Sequence, residues 1–266
     1  MNAEMLDSIS PHQKETSPML EKFLLAIPVF NEAQYVRGVL RKARRYCREI
    51  LVIDDGSSDA TAELLGREKG VHVLTHPENR GYGSSLADAF AFAQTHEFDW
   101  LITMDCDEQH QPSCIPSFLI EARRDDADVI SGTRFPSGSD GDGTAPPERR
   151  EINRRISAIL NNRLGLHLTD AFCGFKAYRV AALSAITITV QGYAMPMQFW
   201  VQASRANLRI REHPVPLIYN DPNRFFGGTL DDPAVRLTHY LEVFEAELKA
   251  LSGAPTQERV GCLSCP

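Results

Sequence analysis

Asp105 and Asp107 stand one residue apart in "LITMDCDEQHQP", where a short apolar run breaks into charge. Two carboxylates that close repel each other unless something positive lies between them. A magnesium or manganese ion fits that place. Both prefer hard oxygen ligands and complete their shells with diphosphate oxygens. Such an ion also neutralises a departing phosphate. A DxD pair by itself recurs by chance, so its position in the fold matters. His110 follows closely, but a single histidine more often packs or hydrogen-bonds than binds metal. A second acidic pair, Asp54 and Asp55, opens "DDGSSDAT". A carboxylate there can accept hydrogen bonds from a ribose or a base edge. Ser57, Ser58 and Asp59 read instead as a turn and a helix cap.

These side chains need elements to hold them. "FLLAIPVF" (23–30), "EILVIDD" (49–55), "VHVLT" (71–75), "DWLITMD" (99–105) and "ADVISGTR" (127–134) are apolar and β-branched, and read as buried strands. Helical patterns lie between them: the spacing of Tyr35, Val36, Val39, Leu40 and Ala43, then "TAELLGREKG" ended by Gly70, "SSLADAFAFAQTH" and "IPSFLIEARR". This alternation predicts an α/β fold, a mainly parallel sheet with helices on both faces. Ligands of such sheets bind beyond the carboxyl ends of the strands. "PVFNE", "DDGSSD", "HPENRGYG" and "DCDEQH" each follow a strand, so four polar clusters point to one crevice. The pattern changes after Arg134. A Gly/Ser/Asp/Pro loop (136–148) precedes a basic helix, "RREINRRISAILNNRLG", then "FCGFKAYR", the aromatic "YAMPMQFW" and "LRIREHPVPLIY". A final helix carries one apolar stripe, Leu237, Tyr240, Leu241, Phe244, Leu248 and Leu251, which reads as a core face.

A chain of 266 residues suits one elaborated domain, here 22–251, between a flexible leader (1–21) and a flexible tail (252–266). The formal charge of -7 argues against a nucleic-acid binder. The six cysteines are scattered and suit free thiols in a reducing cytosol. Cys262 and Cys265 form one CxxC, too few ligands for a tetrahedral zinc site. No apolar run reaches the ~18–20 residues of a membrane span, and residues 1–20 lack the apolar core of a signal peptide. The first strand is not followed by GxGxxG, against a dinucleotide dehydrogenase. "PVFNE" is also not the Gly-rich, arginine-bearing loop of a sugar nucleotidyltransferase. A non-catalytic nucleotide-binding scaffold is the rival of a different class.

Together "AIPVFNE", "VIDDGSSDAT", "NRGYGSSLADA" and "MDCDEQHQP" resemble family 2 glycosyltransferases, nearest the branch of dolichyl-phosphate mannose synthase and bacterial polyprenyl-phosphate sugar transferases. The resemblance covers roughly residues 22–230 and implies the Rossmann-like GT-A fold, as a single domain with a C-terminal elaboration on the acceptor side. It implies a nucleotide-binding motif at Pro28, Phe30 and Glu32, base and ribose contacts at Ile53 and Asp55, and base selectivity around Asp55 and Asn79. Asp105, Cys106, Asp107 and Gln109 match the donor-phosphate and metal motif. Asp105, Asp107 and Gln109 are its metal residues, with Asp107 and Gln109 the direct ligands. Arg134 of "SGTRF" would touch donor phosphate, as would Arg150 or Arg154 of the basic helix. Asp170 of "TDAFCGFKAYR" would face the acceptor. It would be a general base if the acceptor is a hydroxyl, or an orienting group if the acceptor is an already ionised phosphate. "NRFFGGTLDD" resembles an "R..G.S" segment through Arg224, Gly227 and Thr229, with Leu230 where the synthases have a basic residue. Its glycines suit a closing loop, and Arg224 would reach the donor phosphates.

The activity so implied is inverting transfer of a sugar from a nucleotide-diphosphate sugar of the GDP-mannose or UDP-glucose type. Magnesium or manganese assists it, and Asp107, Asp170 and Arg224 are the catalytic candidates. The expected acceptor is a polyprenyl phosphate, or alternatively a saccharide or metabolite hydroxyl. The expected place is the cytoplasm, with peripheral contact at the membrane face. The sequence sets no oligomeric state.

Overall fold

The structure, a computed structural model, describes residues 22–136, 145–219 and 228–252. Arg224, Gly227, the CxxC, the leader and most of the 136–148 loop lie outside the described residues. The first half alternates as expected: β1 (Phe23–Val29), α1 (Val36–Ala43), β2 (Ile50–Asp54), α2 (Thr61–Gly66), β3 (His72–Thr75), α3 (Tyr82–Thr95), β4 (Trp100–Thr103), α4 (Ile115–Ala122) and β5 (Val129–Thr133). The second half adds α5 (Pro147–Leu164), β6 (Lys176–Arg179), α6 (Met195–Arg205), β7 (Ile210–Pro214) and α7 (Pro233–Ser252).

One seven-stranded sheet, in the order β3-β2-β1-β4-β6-β5-β7, joins both halves. Its pairs are parallel except those of β6, which runs antiparallel between β4 and β5. The chain steps outward from β1 to β3, then returns to place β4 on the other side of β1. Such a reversal opens a crevice at the strand ends.

Side chains of a strand alternate between faces, and that alternation divides the core. Leu24 and Ala26, Leu51 and Ile53, and Leu101 pack with α3, α5, α6 and α7. Leu25, Ile27 and Val29, Ile50 and Val52, and Trp100 and Ile102 pack with α1, α2 and α4. Both faces are covered, which is why the strands read as unbroken apolar runs. The stripe of α7 lies in the first cluster, with Tyr240 and Phe244 buried and Leu237, Leu241, Leu248 and Leu251 packed against them.

Two local readings are corrected, and one segment left without an element is assigned. The α2 helix stops at Gly66, and Gly70, at φ 71°, instead turns the chain into β3. "YAMPMQFW" supplies the first residues of a helix, α6, with Pro196 in its opening turn. A proline there removes only an N–H that would have no helical partner. The fourth strand ends at Thr103, so Met104 and Asp105 already belong to the loop of the site.

Candidate active site

A cleft of about 520 Å³ opens at the carboxyl ends of β1, β2 and β4, within the usual size of a small-molecule site. Pro28, Phe30, Glu32, Asp55, Asn79, Asp105, Cys106, Asp107, Gln109, Arg134 and Arg150 all line it.

The loop after β1 is shaped by Asn31, at φ 57°. Its side-chain oxygen accepts the N–H groups of Ser58 and Asp59 at 2.8 and 3.2 Å. Glu32 N–H donates to Thr61 Oγ1 at 2.8 Å. The first two strand-end loops are thereby tied together. After β2, Gly56 at φ 71° lets the next loop pass, since a Cβ there would stand 2.6 Å from the Asn79 nitrogen. Asp55 is buried and accepts the N–H groups of Arg80 and Gly81 at 2.9 and 2.8 Å.

Asp105 is held by neighbours from three segments. Tyr82 O–H donates to its Oδ1 at 3.1 Å, and its own N–H donates to His110 Nδ1 at 3.0 Å. Gly174 leaves it room, because a Cβ there would lie 2.5 Å from Asp105 Oδ2. Asp107 Oδ1 accepts Gln109 N–H at 3.0 Å, and Glu108, at φ 60°, supplies the tight turn. Burial and the charge of Asp105 push the Tyr82 phenol well above its usual value, so it stays a donor. Among the described residues, no three His, Cys, Asp or Glu side chains group as a metal cage. Two carboxylates and Gln109 on the cleft wall still fit magnesium or manganese, since such ions commonly take one or two carboxylates and leave the rest of the shell to phosphate and water.

Asp170 lies apart from the cleft surface and has no exposed area. Arg134 grips it with Nε to Oδ2 at 2.7 Å and Nη2 to Oδ1 at 2.9 Å. The N–H groups of Arg134, Phe172 and Cys173 add three more bonds. Five donors exceed the roughly four acceptor sites of a carboxylate. Burial alone would raise its pKa, but Arg134 outweighs it and the carboxyl is held below its usual value. The acceptor sites of Asp170 are thus occupied by Arg134 and the N–H groups of its own loop. Glu212 on β7 fixes the same loop through the N–H groups of Thr169 and Asp170, at 2.8 and 3.0 Å.

Two expected contacts are placed elsewhere. Ile53 is wholly buried among the side chains under α3, because alternation along β2 turns it to the core. Arg154 is exposed and pairs with Glu151 at 2.8 Å, away from the cleft. Arg149, not singled out from sequence, lines the cleft beside Arg150 and Asn153. The helix period carries that signal: Arg149 is three residues before Ile152, which with Ile156 and Leu160 marks the buried face. Arg154 follows Arg150 by one turn on the same side, so its distance along α5 and not the period keeps it from the cleft. Tyr82 and Tyr193, stacked at 5.9 Å, and Tyr219 and Arg236 also line the cleft. Tyr219 and Arg236 had no local signal.

Residues 25–187 match the model of glycosyl transferase family 2. The chain is a member of this family. It is 30% identical over 230 residues to the undecaprenyl-phosphate mannosyltransferase of Micrococcus luteus, covering 82% of this chain and 93% of that one. It is 32% identical over 181 residues to the undecaprenyl-phosphate 4-deoxy-4-formamido-L-arabinose transferase of Sodalis glossinidius, covering 64% of this chain and about half, 53%, of that one. The fold is similar to glucosyl-3-phosphoglycerate synthase of Mycobacterium tuberculosis, crystallised with UDP. There the TM-score is 0.66 at 16% identity, covering 86% of this chain and 80% of that one. The same synthase with Mn2+, UDP and phosphoglyceric acid gives a TM-score of 0.63 at 16% identity, covering 89% of this chain and 80% of that one. The family 2 protein is therefore a glycosyltransferase with a GT-A fold, and the resemblance read from its motifs holds.

Proposed function

We propose that this glycosyltransferase moves a sugar from a nucleotide-diphosphate sugar to a polyprenyl phosphate, with inversion. One observation carries the choice of acceptor. The cleft carboxylates Glu32, Asp55, Asp105 and Asp107 all come from the first half of the chain. The described second-half wall offers Arg134, Arg149, Arg150 and Arg236 beside Phe172, Leu217, Leu230 and Tyr240, and no carboxylate. A hydroxyl acceptor needs a base on that side, whereas an ionised phosphate on an apolar chain needs cations and apolar surface. The relatives named for undecaprenyl phosphate support the same acceptor.

In this reading Asp105, Asp107 and Gln109 hold the divalent ion, which when bound supplies positive charge to the diphosphate. Pro28, Phe30, Asp55 and Asn79 receive the nucleoside. The acceptor oxygen attacks the anomeric carbon from the face opposite the diphosphate, and the bond to the leaving oxygen breaks with its electron pair going to the nucleotide. Arg134, aimed by Asp170, and Arg150 meet the charge that develops there. Arg224 joins them as a proposed donor-phosphate contact. Among the described residues no helix is long and apolar enough to cross a membrane; a polyprenyl-phosphate acceptor would bring the enzyme into peripheral contact with the cytoplasmic membrane face.

Transfer assays test this directly. GDP-mannose and UDP-glucose are offered with manganese to a short polyprenyl phosphate and to the matching polyprenol. The expected result is transfer to the phosphate alone, stopped by EDTA and lost in Asp107→Ala. A donor at 100 times its dissociation constant should also stabilise the wild type by about 2.7 kcal/mol. Equal transfer to the polyprenol would restore the hydroxyl-acceptor reading. Nucleotide binding with no transfer at all would leave a scaffold.

A further inference from the structure

His76 directly follows β3 and is 3% exposed. Its Nδ1 lies 2.6 Å from Asp55 Oδ1, and its Nε2 lies 2.7 Å from Asp88 Oδ2, on α3. Arg80 closes the ring: its N–H donates to Asp55 Oδ1 at 2.9 Å, and its Nη1 reaches Asp88 Oδ2 at 3.4 Å. Hydrogen bonds to ionised groups are the stronger kind, and these are shielded from water at the Asp55 end.

The arrangement has a consequence for Asp55. An ionised carboxylate has about four acceptor sites. Oδ1 is taken by His76 and Arg80, while Oδ2 is taken once, by Gly81 N–H at 2.8 Å. One site remains, on Oδ2, and Asp55 lines the cleft. We propose that His76 is a positioning residue for the nucleotide: it pins Asp55 Oδ1 so that the remaining site on Oδ2 faces an N–H or O–H donor of the nucleoside. Asp88 and Arg80 hold the far end of the imidazole and keep it from rotating. The inference rests on the nucleotide-sugar reading of the cleft and goes beyond it by assigning a residue that does not line the cleft.

Two substitutions at His76 separate positioning from simple packing. Asn places its amide nitrogen near Nδ1 and keeps the bond to Asp55. Gln reaches toward Asp88 and loses Asp55. UDP and GDP affinities are measured by calorimetry, and donor KM and kcat with the better donor, after melting curves establish that each variant is folded. His76→Gln should weaken nucleotide binding about tenfold, the loss of one charge-assisted bond. It should raise donor KM similarly, with kcat less affected. His76→Asn should stay within about threefold of wild type, as expected when the retained amide bond replaces most of the lost one. Equal affinities of His76→Gln and wild type would overturn the proposal, as would equal weakening by both variants. If His76→Gln does not fold, Asp88→Asn on the half-exposed end of the clamp takes its place. It should weaken binding about threefold, and unchanged affinity would overturn the proposal. A wild type that binds neither nucleotide removes the donor reading itself, a result distinct from any difference between variants.

Discussion

Gly174 shows how a residue without a side chain can set an active-site carboxylate. A Cβ there would stand 2.5 Å from Asp105 Oδ2 and 2.9 Å from the Tyr82 hydroxyl. The obstacles are ends of side chains, which can move, so the fold tolerates the substitution while Asp105 does not keep its place. Gly174→Ala should leave the melting temperature nearly unchanged and lower kcat/KM by about 100-fold, the scale of loss that a misplacement of about 1 Å can cause. Full activity in that variant would mean that Asp105 need not sit where Tyr82 and His110 hold it. Asp170 works the other way, through charge. Asp170→Asn removes the partner of a largely buried guanidinium, and breaking such a pair costs about 3–5 kcal/mol. Denaturant unfolding measures it, and a loss under about 1 kcal/mol would refute the assignment of Asp170 as the anchor of Arg134.

At the scale of elements, the start of α3 is where the donor side meets the second half. Gly83 N–H donates to Gln191 O at 2.6 Å. The segment around Gln191 is fastened by Gln198, whose Oε1 accepts the N–H groups of Thr189 and Val190 at 2.8 and 3.0 Å. Gln198 and Gln202 in turn donate to Glu247 on α7 at 2.9 and 2.7 Å. The α7 helix is thereby connected to the first turn of α3, which carries Tyr82. A Cβ at Gly83 would lie 2.0 Å from Val190 O, a backbone atom that cannot step aside, whereas one at Gly66 meets nothing within 4 Å. Gly83→Ala should cost about 1–3 kcal/mol by overpacking. Gly66→Ala, at the end of α2, should stabilise by up to about 1 kcal/mol through reduced backbone entropy. Melting curves of the two variants compared with wild type check both signs.

Across the whole molecule, the charge that matters to acid stability lies at the opposite end of the sheet from the cleft. Asp128, just before β5, bonds the Arg209 guanidinium at 2.8 and 3.0 Å and Arg179 at 3.2 Å. Arg209 above all, then Arg179, pushes its carboxyl down to about 2 from 3.8. A group whose folded pKa is depressed stabilises above its unfolded value, and that contribution is lost as pH falls through the folded one. Asp128→Asn should therefore cost about 1–2 kcal/mol at neutral pH, and the difference from wild type should vanish between about pH 4 and pH 2. Unfolding free energies across that range measure it. A constant difference down to pH 2 would show that Asp128 acts by shape and not charge. Asp170 adds to the same acid limit with the same sign, since Arg134 holds it below its usual value.

The sequence by itself determined the sheet and the first-half wall of the cleft. Apolar runs of strand length can be buried on both faces only if helices cover both, and polar clusters placed at strand ends must converge in a parallel sheet. These are local or periodic properties, so Asp55, Asp105, Asp107 and Gln109 were legible before any coordinates. The tertiary structure alone decided the second-half wall. Arg236 and Tyr219 reach the cleft from segments far along the chain, and β6 enters antiparallel between β4 and β5. Residue type could not show that Asp170 is buried under five donors from Arg134, Phe172 and Cys173, because those donors are brought together only by the fold. That Arg149 and Arg150 line the cleft and Arg154 does not was settled by where the first turn of α5 comes to lie against the sheet. Periodicity constrains such a face, but only packing against the sheet fixes which way it turns.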